Sequence, residues 1–118
     1  MKPNLFLAIA GIYYLLDAAA EIFQPNGFDF TPYAYVVYGL SFGVLLLLVR
    51  NEPASKTRDA IFISGFISSL GIGLVAFYAQ WSGTFMDSAV GYISPLLWFF
   101  VAAGFFLVRR ANMPAPSK

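Results

Sequence analysis

The chain has 118 residues, of which 59% are hydrophobic and 11% are charged, with a formal net charge of +1 and neither cysteine nor histidine. An average soluble domain carries about a quarter charged residues, so this composition predicts an all-α integral membrane protein. Without cysteine and histidine, the chain cannot form disulfides, Cys/His zinc sites, His-ligated haem or Ser-His-Asp and Cys-His catalytic sites. We therefore expect no enzyme, no cofactor and no metal site, and the near-neutral charge argues against nucleic-acid binding.

The first apolar segment, residues 5–23, is long enough to cross a bilayer and contains two acidic residues. Asp17 and Glu21 are four residues apart, which places them on one face of a helix. The charged start, the apolar run and the alanines at residues 18–20 also resemble a secretory signal peptide. Because apolar character resumes at Ile22 after those alanines, we interpret the segment as a retained membrane helix.

Three further apolar segments follow, at residues 33–49, 60–80 and 90–108. Each has the length of a membrane-spanning helix. Turn-forming or polar stretches separate the four segments, namely residues 24–32, 50–59 and 81–89. Tyrosines open the second segment, where an apolar ring body can sit in lipid while the hydroxyl group stays hydrated. The sequence therefore predicts four transmembrane helices in one domain covering residues 1–118.

The basic residues predict the topology of these helices. They cluster at the two ends of the chain and in the central connection, as Lys2, Arg50, Lys56, Arg58, Arg109, Arg110 and Lys118. The first and third connections contain no basic residue at all. By the positive-inside rule, both termini and the central connection are cytoplasmic. We expect an antiparallel four-helix bundle in the cell membrane, with the bacterial inner membrane as the expected location.

Asp17 and Glu21 are the candidate functional residues, because acidic side chains at membrane depth often mark proton or ion pathways. In that interpretation the pair forms a proton or cation site. The structural alternative is that Glu21 lies near the outer headgroups, where it is easily solvated. Asp17 would then be satisfied by a hydrogen bond from Tyr13, Tyr14 or a serine of the third helix. We favour the structural alternative.

Small residues predict where helices pack closely. Gly39 and Gly43 are four residues apart on the second helix, and Gly65, Ser69 and Gly73 repeat the same spacing on the third. Such rows let helix backbones approach one another in membranes. They could serve packing within the chain or an interface with another subunit. We favour packing within the chain.

The aromatic residues amount to 19% of the chain, and not all of them can point inward. The fourth helix alone carries Phe99, Phe100, Phe105 and Phe106, so several rings are expected to face lipid. The leading hypothesis is a non-catalytic accessory or structural subunit whose partners are membrane lipids and other proteins or further copies of the chain. The alternatives are a small oligomeric transporter using Asp17 and Glu21 for protons or a cationic substrate, and a lipid or quinone binder using the aromatic faces of the second and fourth helices.

Overall fold

The computed structural model describes residues 2–23, 31–83 and 88–111, without the side chains of residues 21–23 and 31–33. The described part of the chain is helical and contains no strand, which confirms the predicted all-α class. Its elements, in chain order, are α1 (Pro3–Phe23), α2 (Thr31–Leu48), α3 (Lys56–Trp81), a short 3-10 helix (Ala89–Tyr92) and α4 (Ile93–Ala111). Residues 24–30 of the first predicted loop and residues 84–87 of the last predicted loop lie outside the described residues.

Helices α1 and α3 extend beyond the predicted apolar segments into the residues that precede them. Helix α1 begins at Pro3, because proline in a first turn needs no backbone donor. Helix α3 begins at Lys56 rather than at the predicted residue 60. Ser55, in extended conformation, accepts a hydrogen bond of 3.1 Å from the backbone N–H of Arg58 and caps the helix. At its other end Gly83 has φ +82°, a left-handed conformation that glycine adopts without steric cost.

The predicted fourth span is divided in the structure. A 3-10 helix, Ala89–Tyr92, precedes the α-helix, which begins at Ile93 and continues to Ala111. Pro95 is tolerated there because it lies in the first turn of α4, where backbone N–H groups have no partner within the helix. The helix therefore starts three residues later and ends three residues later than apolar patterning predicts.

Three of the described helices are long and apolar enough to cross a membrane. They are the helical stretches Pro3–Ala20, Lys56–Trp81 and Ala89–Ala111. The apolar part of α2, Ala34–Leu48, is shorter than these three. By length and composition, the structure thus supports a membrane protein with helices able to span the bilayer.

The chain divides into two compact units, Met1–Pro53 and Ala54–Lys118. The first unit is the pair α1 and α2, and the second is the pair α3 and α4 with the 3-10 helix. In each pair the buried side chains recur every three or four residues along one helical face. On α1 they are Leu7, Ala10, Tyr14 and Ala18, and on α4 they are Trp98, Ala102, Phe105 and Val108. The prediction of a single domain stays a prediction.

The aromatic side chains of α4 divide between the inside and the surface of the second unit. Phe105 is fully buried and its ring meets that of Phe62 edge-on, with centroids 5.9 Å apart. Phe100, by contrast, is 73% exposed, and Phe106 is about half exposed. A single α-helix presents only one face to its neighbour, so rings at successive positions necessarily point in different directions.

Candidate functional site

Helices α1 and α2 approach each other closely along glycine residues. A Cβ atom on Gly43 would lie 2.9 Å from the carbonyl oxygen of Gly11, and one on Gly11 would lie equally close to the carbonyl oxygen of Gly43. A Cβ atom on Gly39 would lie 2.9 Å from the Cβ of Ala18. A Cβ atom does not normally come this close to a non-bonded oxygen or carbon atom, so these positions accept only glycine without a backbone shift. Gly39 and Gly43 thus lie in the contact between α1 and α2, opposite small residues that the sequence did not single out.

An aromatic cluster beside these glycines fixes how α2 is rotated against α1. The buried ring of Tyr14 meets the ring of Phe42 at an interplanar angle of 60°, with centroids 4.9 Å apart. Phe42 in turn stacks on Tyr38, with the two planes within 9° of parallel. Edge-to-face and offset contacts of this kind are the favoured arrangements of aromatic rings. These ring contacts set which side of α2 faces α1, including the part of α2 before Tyr38.

Asp17 receives a hydrogen bond from α2. The hydroxyl group of Tyr35 donates to Oδ2 of Asp17, and both side chains are partly buried. The other carboxylate oxygen, Oδ1, accepts no hydrogen bond within the part of the chain that the structure describes. The predicted donors were Tyr13, Tyr14 or a serine of α3, so the partner of Asp17 differs from the expected ones. Sequence patterning does not show which tyrosine of α2 faces α1, so Tyr35 is not among the expected donors.

Asp17 is one of the residues that line an open hollow of about 360 Å³ on the surface of α1. The described residues lining it are Ile12, Tyr13, Leu16 and Asp17. A volume of this order fits a small molecule or a few side chains of another protein. The lining combines two aliphatic side chains, a tyrosine and an aspartate, which suits a group that carries both an apolar body and a positive charge or a hydrogen-bond donor.

Glu21 follows Asp17 by one helical turn in α1, but its side chain lies outside the described residues. The pairing of Glu21 with Asp17 therefore stays a prediction. Among the residues that the structure describes, no group of three or more histidine, cysteine, aspartate or glutamate residues is placed to hold a metal ion. Asp17 is consequently the one predicted site residue of α1 whose surroundings are defined.

The second predicted row of small residues lies in the contact between α3 and α4. A Cβ atom on Gly65 would overlap the ring of Phe105, and one on Gly73 would lie 2.8 Å from the ring of Phe99. Ser69, between them, is fully buried and its hydroxyl group donates to the carbonyl oxygen of Gly65 at 2.6 Å. The hydroxyl group of Ser69 is therefore hydrogen-bonded within α3, and the row of Gly65, Ser69 and Gly73 presents only small residues to α4.

Two polar contacts at opposite ends of the second unit were not predicted. The guanidinium group of Arg109 donates to both carboxylate oxygens of Asp59, at 2.6 and 3.1 Å, which joins the start of α3 to the end of α4. At the other end, the buried side chain of Gln80 donates through Nε2 to the carbonyl oxygen of Ser88 at 2.9 Å. Asp59 is not among the candidate residues of the sequence analysis. The opposite charges at the two helix ends are the sequence signal that could have identified the pair.

Comparison of the chain with protein-family models, with curated proteins and with solved structures finds no match. The residues themselves therefore carry the functional argument. In the first unit they offer one carboxylate, which accepts a hydrogen bond from Tyr35 and belongs to a residue that lines an apolar hollow. In the second unit the side-chain contacts of Gln80 and Arg109 join helix ends to each other.

Proposed function

We propose that the protein is a small non-catalytic integral membrane protein that packs against lipid and against other membrane proteins as an accessory subunit. The observation that carries this proposal is the large apolar surface that the helices leave exposed. Leu16, Val75 and Phe100 are examples, and each is more than half exposed. Exposed apolar side chains in such number indicate contact with a membrane or with another protein.

The proposal includes four membrane spans in an antiparallel arrangement, with both termini and the central connection in the cytoplasm of a bacterial cell. Its support is the distribution of basic residues, together with the length of α2. At 1.5 Å per residue, the 18 residues of Thr31–Leu48 extend about 27 Å, close to the thickness of a hydrocarbon core. Length and composition alone favour the other three helices more strongly, so α2 is the span that an experiment has to test.

Single cysteines test this topology without background labelling, because the natural chain contains none. Ala54 and Ser82 are both exposed and lie at opposite ends of α3. In intact cells, an impermeant thiol reagent should label Ser82→Cys directly and Ala54→Cys only after the membrane is opened. Labelling of Ala54→Cys from outside would contradict the proposed orientation. If residues 50–59 lay outside the cell while Lys2 lay in the cytoplasm, the chain would have fewer than four spans.

The accessory role is tested by the mass of the complex in which the chain resides. Membranes containing the full chain are solubilised into native lipid particles, and intact complexes are measured by mass spectrometry. The proposal expects unlike protein subunits at fixed stoichiometry with the chain. A monomer, or an assembly made only of copies of this chain, would contradict it.

A second candidate function is that of an oligomeric proton- or cation-coupled transporter, and the position of Asp17 in the lining of the hollow favours it. An intramembrane carboxylate beside a hollow is a feature of ion pathways. Reconstituted in liposomes, a transporter would give a flux that Asp17→Asn abolishes and Asp59→Asn leaves unchanged, since Asp59 is tied to Arg109 at a helix end. A flux with that pattern would replace the accessory role, whereas its absence leaves that role standing.

A further inference from the structure

The face of α1 that borders the hollow carries an exposed apolar seam. It consists of Leu5, Ile9, Ile12 and Leu16, whose side chains are 49 to 65% exposed. Their spacing of four, three and four residues is the spacing at which one α-helix packs lengthwise against another. Lipid can cover such a seam, so the seam alone does not identify what binds there.

Asp17 adds a requirement that lipid tails cannot meet. It directly follows Leu16 and lies about 6 Å past the midpoint of α1, within hydrocarbon depth of the proposed span. Tyr35 donates a hydrogen bond to its Oδ2, and among the described residues no hydrogen bond to its Oδ1 is formed. A carboxylate at this depth calls for a donor or a positive charge beside it.

The chain itself supplies no basic residue at that depth. Residues 3–49 contain neither lysine nor arginine, and the same is true of residues 59–108. A second copy of the chain would bring the same acidic helix and the same lack of positive charge. Lipid, a second copy and the remaining helices of the chain therefore all leave the carboxylate without a cationic partner.

We propose that the seam of α1 binds a transmembrane helix of a different protein, and that a lysine or arginine in that helix pairs with Asp17. The inference rests on the proposed accessory function and names the chemistry of the partner. The aliphatic stem of a lysine or arginine would lie along Ile12 and Leu16, while its charged end meets the carboxyl group of Asp17 in the hollow. Tyr35 acts as a positioning residue, because the hydrogen bond from its hydroxyl group to Oδ2 restrains the rotation of the carboxyl group.

A defined peptide tests the proposal without knowledge of the natural partner. The full chain, carrying a fluorophore on Ala54→Cys, is reconstituted in zwitterionic liposomes with a labelled synthetic Leu/Ala helix of about 20 residues. One peptide carries a single lysine four residues from its midpoint, and its control carries leucine there. Energy transfer between the labels reports association. We expect the lysine peptide to bind about tenfold more tightly than the leucine peptide, which is in the range measured for close charge pairs at interfaces.

Variants of the chain separate charge pairing from other effects. Asp17→Asn keeps an acceptor for Tyr35, so the variant should fold, but it should remove the preference for the lysine peptide. Asp59→Asn should retain that preference. Tyr35→Phe should reduce it without abolishing it, because the carboxylate remains but loses its fixed orientation.

Two outcomes would overturn the inference. Equal binding of the lysine and leucine peptides would show that Asp17 does not select a cationic helix, and the accessory role would still be decided by the mass of the native complex. In a competition assay, octylammonium and the unlabelled lysine peptide can each displace the labelled lysine peptide. If both do so at the same concentration, the hollow binds a small lipophilic cation instead of a helix. A preference that Asp17→Asn removes, together with weak competition by octylammonium, supports the partner helix.

Discussion

Replacing Gly65 by alanine should destabilise the second unit through a steric overlap with α4. The added Cβ atom would lie 2.7 Å from Cδ1 of Phe105 and closer still to two other ring atoms. Carbon atoms pack best at about 3.5–4.0 Å, so the ring or the helix has to move by about 1 Å. The ring has little room to do so, because Phe105 is fully buried and abuts Phe62. Overpacking of this kind costs about 1–3 kcal/mol.

Gly71→Ala is the matched control, since Gly71 lies on the same helix and an added Cβ atom meets nothing within 4 Å. Both substitutions gain up to about 1 kcal/mol of helix propensity, so that gain cancels when they are compared. The free energies of unfolding of the two variants should therefore differ by the steric cost, about 1–3 kcal/mol, in favour of Gly71→Ala. Unfolding in mixed micelles of increasing denaturing-detergent content measures the difference. If Gly65→Ala proved as stable as Gly71→Ala, the contact between α3 and α4 described above would be wrong.

Three further substitutions test the polar contacts. Tyr35→Phe should destabilise the first unit by about 1–3 kcal/mol, because Oδ2 of Asp17 loses its donor, whereas Asp17→Asn should leave the stability nearly unchanged. If Tyr35→Phe did not change the melting temperature, the hydrogen bond between Tyr35 and Asp17 would not contribute to stability. In Gly91→Ala the added Cβ atom would overlap the amide of Gln80, so this variant should lose about as much free energy of unfolding as Gln80→Leu. Because the two changes affect the same contact, the double variant should lose less than the sum of the two single losses. Arg109→Gln should lower the melting temperature more in low salt than in high salt, because the ion pair between Arg109 and Asp59 is solvent-accessible and salt screens it. A decrease that does not depend on salt would contradict an electrostatic cause.

The all-α class follows directly from composition and apolar patterning, but the ends of the helices do not. Apolar residues define where a helix can be buried, whereas Ser55 starts α3 through a hydrogen bond to Arg58 that hydropathy does not register. In the same way, Pro95 limits where α4 can begin, and a 3-10 helix occupies the residues before it. Helix ends are set by individual hydrogen bonds rather than by average character.

The candidate site was identified from sequence only in part. Asp17 stands out because an acidic residue is rare within an apolar segment, and that signal is local. Its donor is not local, because which tyrosine of α2 faces Asp17 depends on how the two helices are rotated and how close they come. The contact between Gly11 and Gly43 sets that distance, and the sequence analysis did not identify Gly11 as part of it. The Asp59–Arg109 pair spans 50 positions and likewise depends on helix pairing.

The hydrogen bond between Asp17 and Tyr35 also bears on the order in which the chain enters a bilayer. The two residues are 18 positions apart and belong to the same helical pair, so the donor leaves the ribosome soon after the acceptor. Until it arrives, α1 alone would expose its carboxylate to hydrocarbon. Synthesis of α2 removes part of that penalty before α3 exists. If both helices span the membrane as proposed, they are therefore suited to enter the bilayer together, as a hairpin whose polar group already has a hydrogen-bond donor.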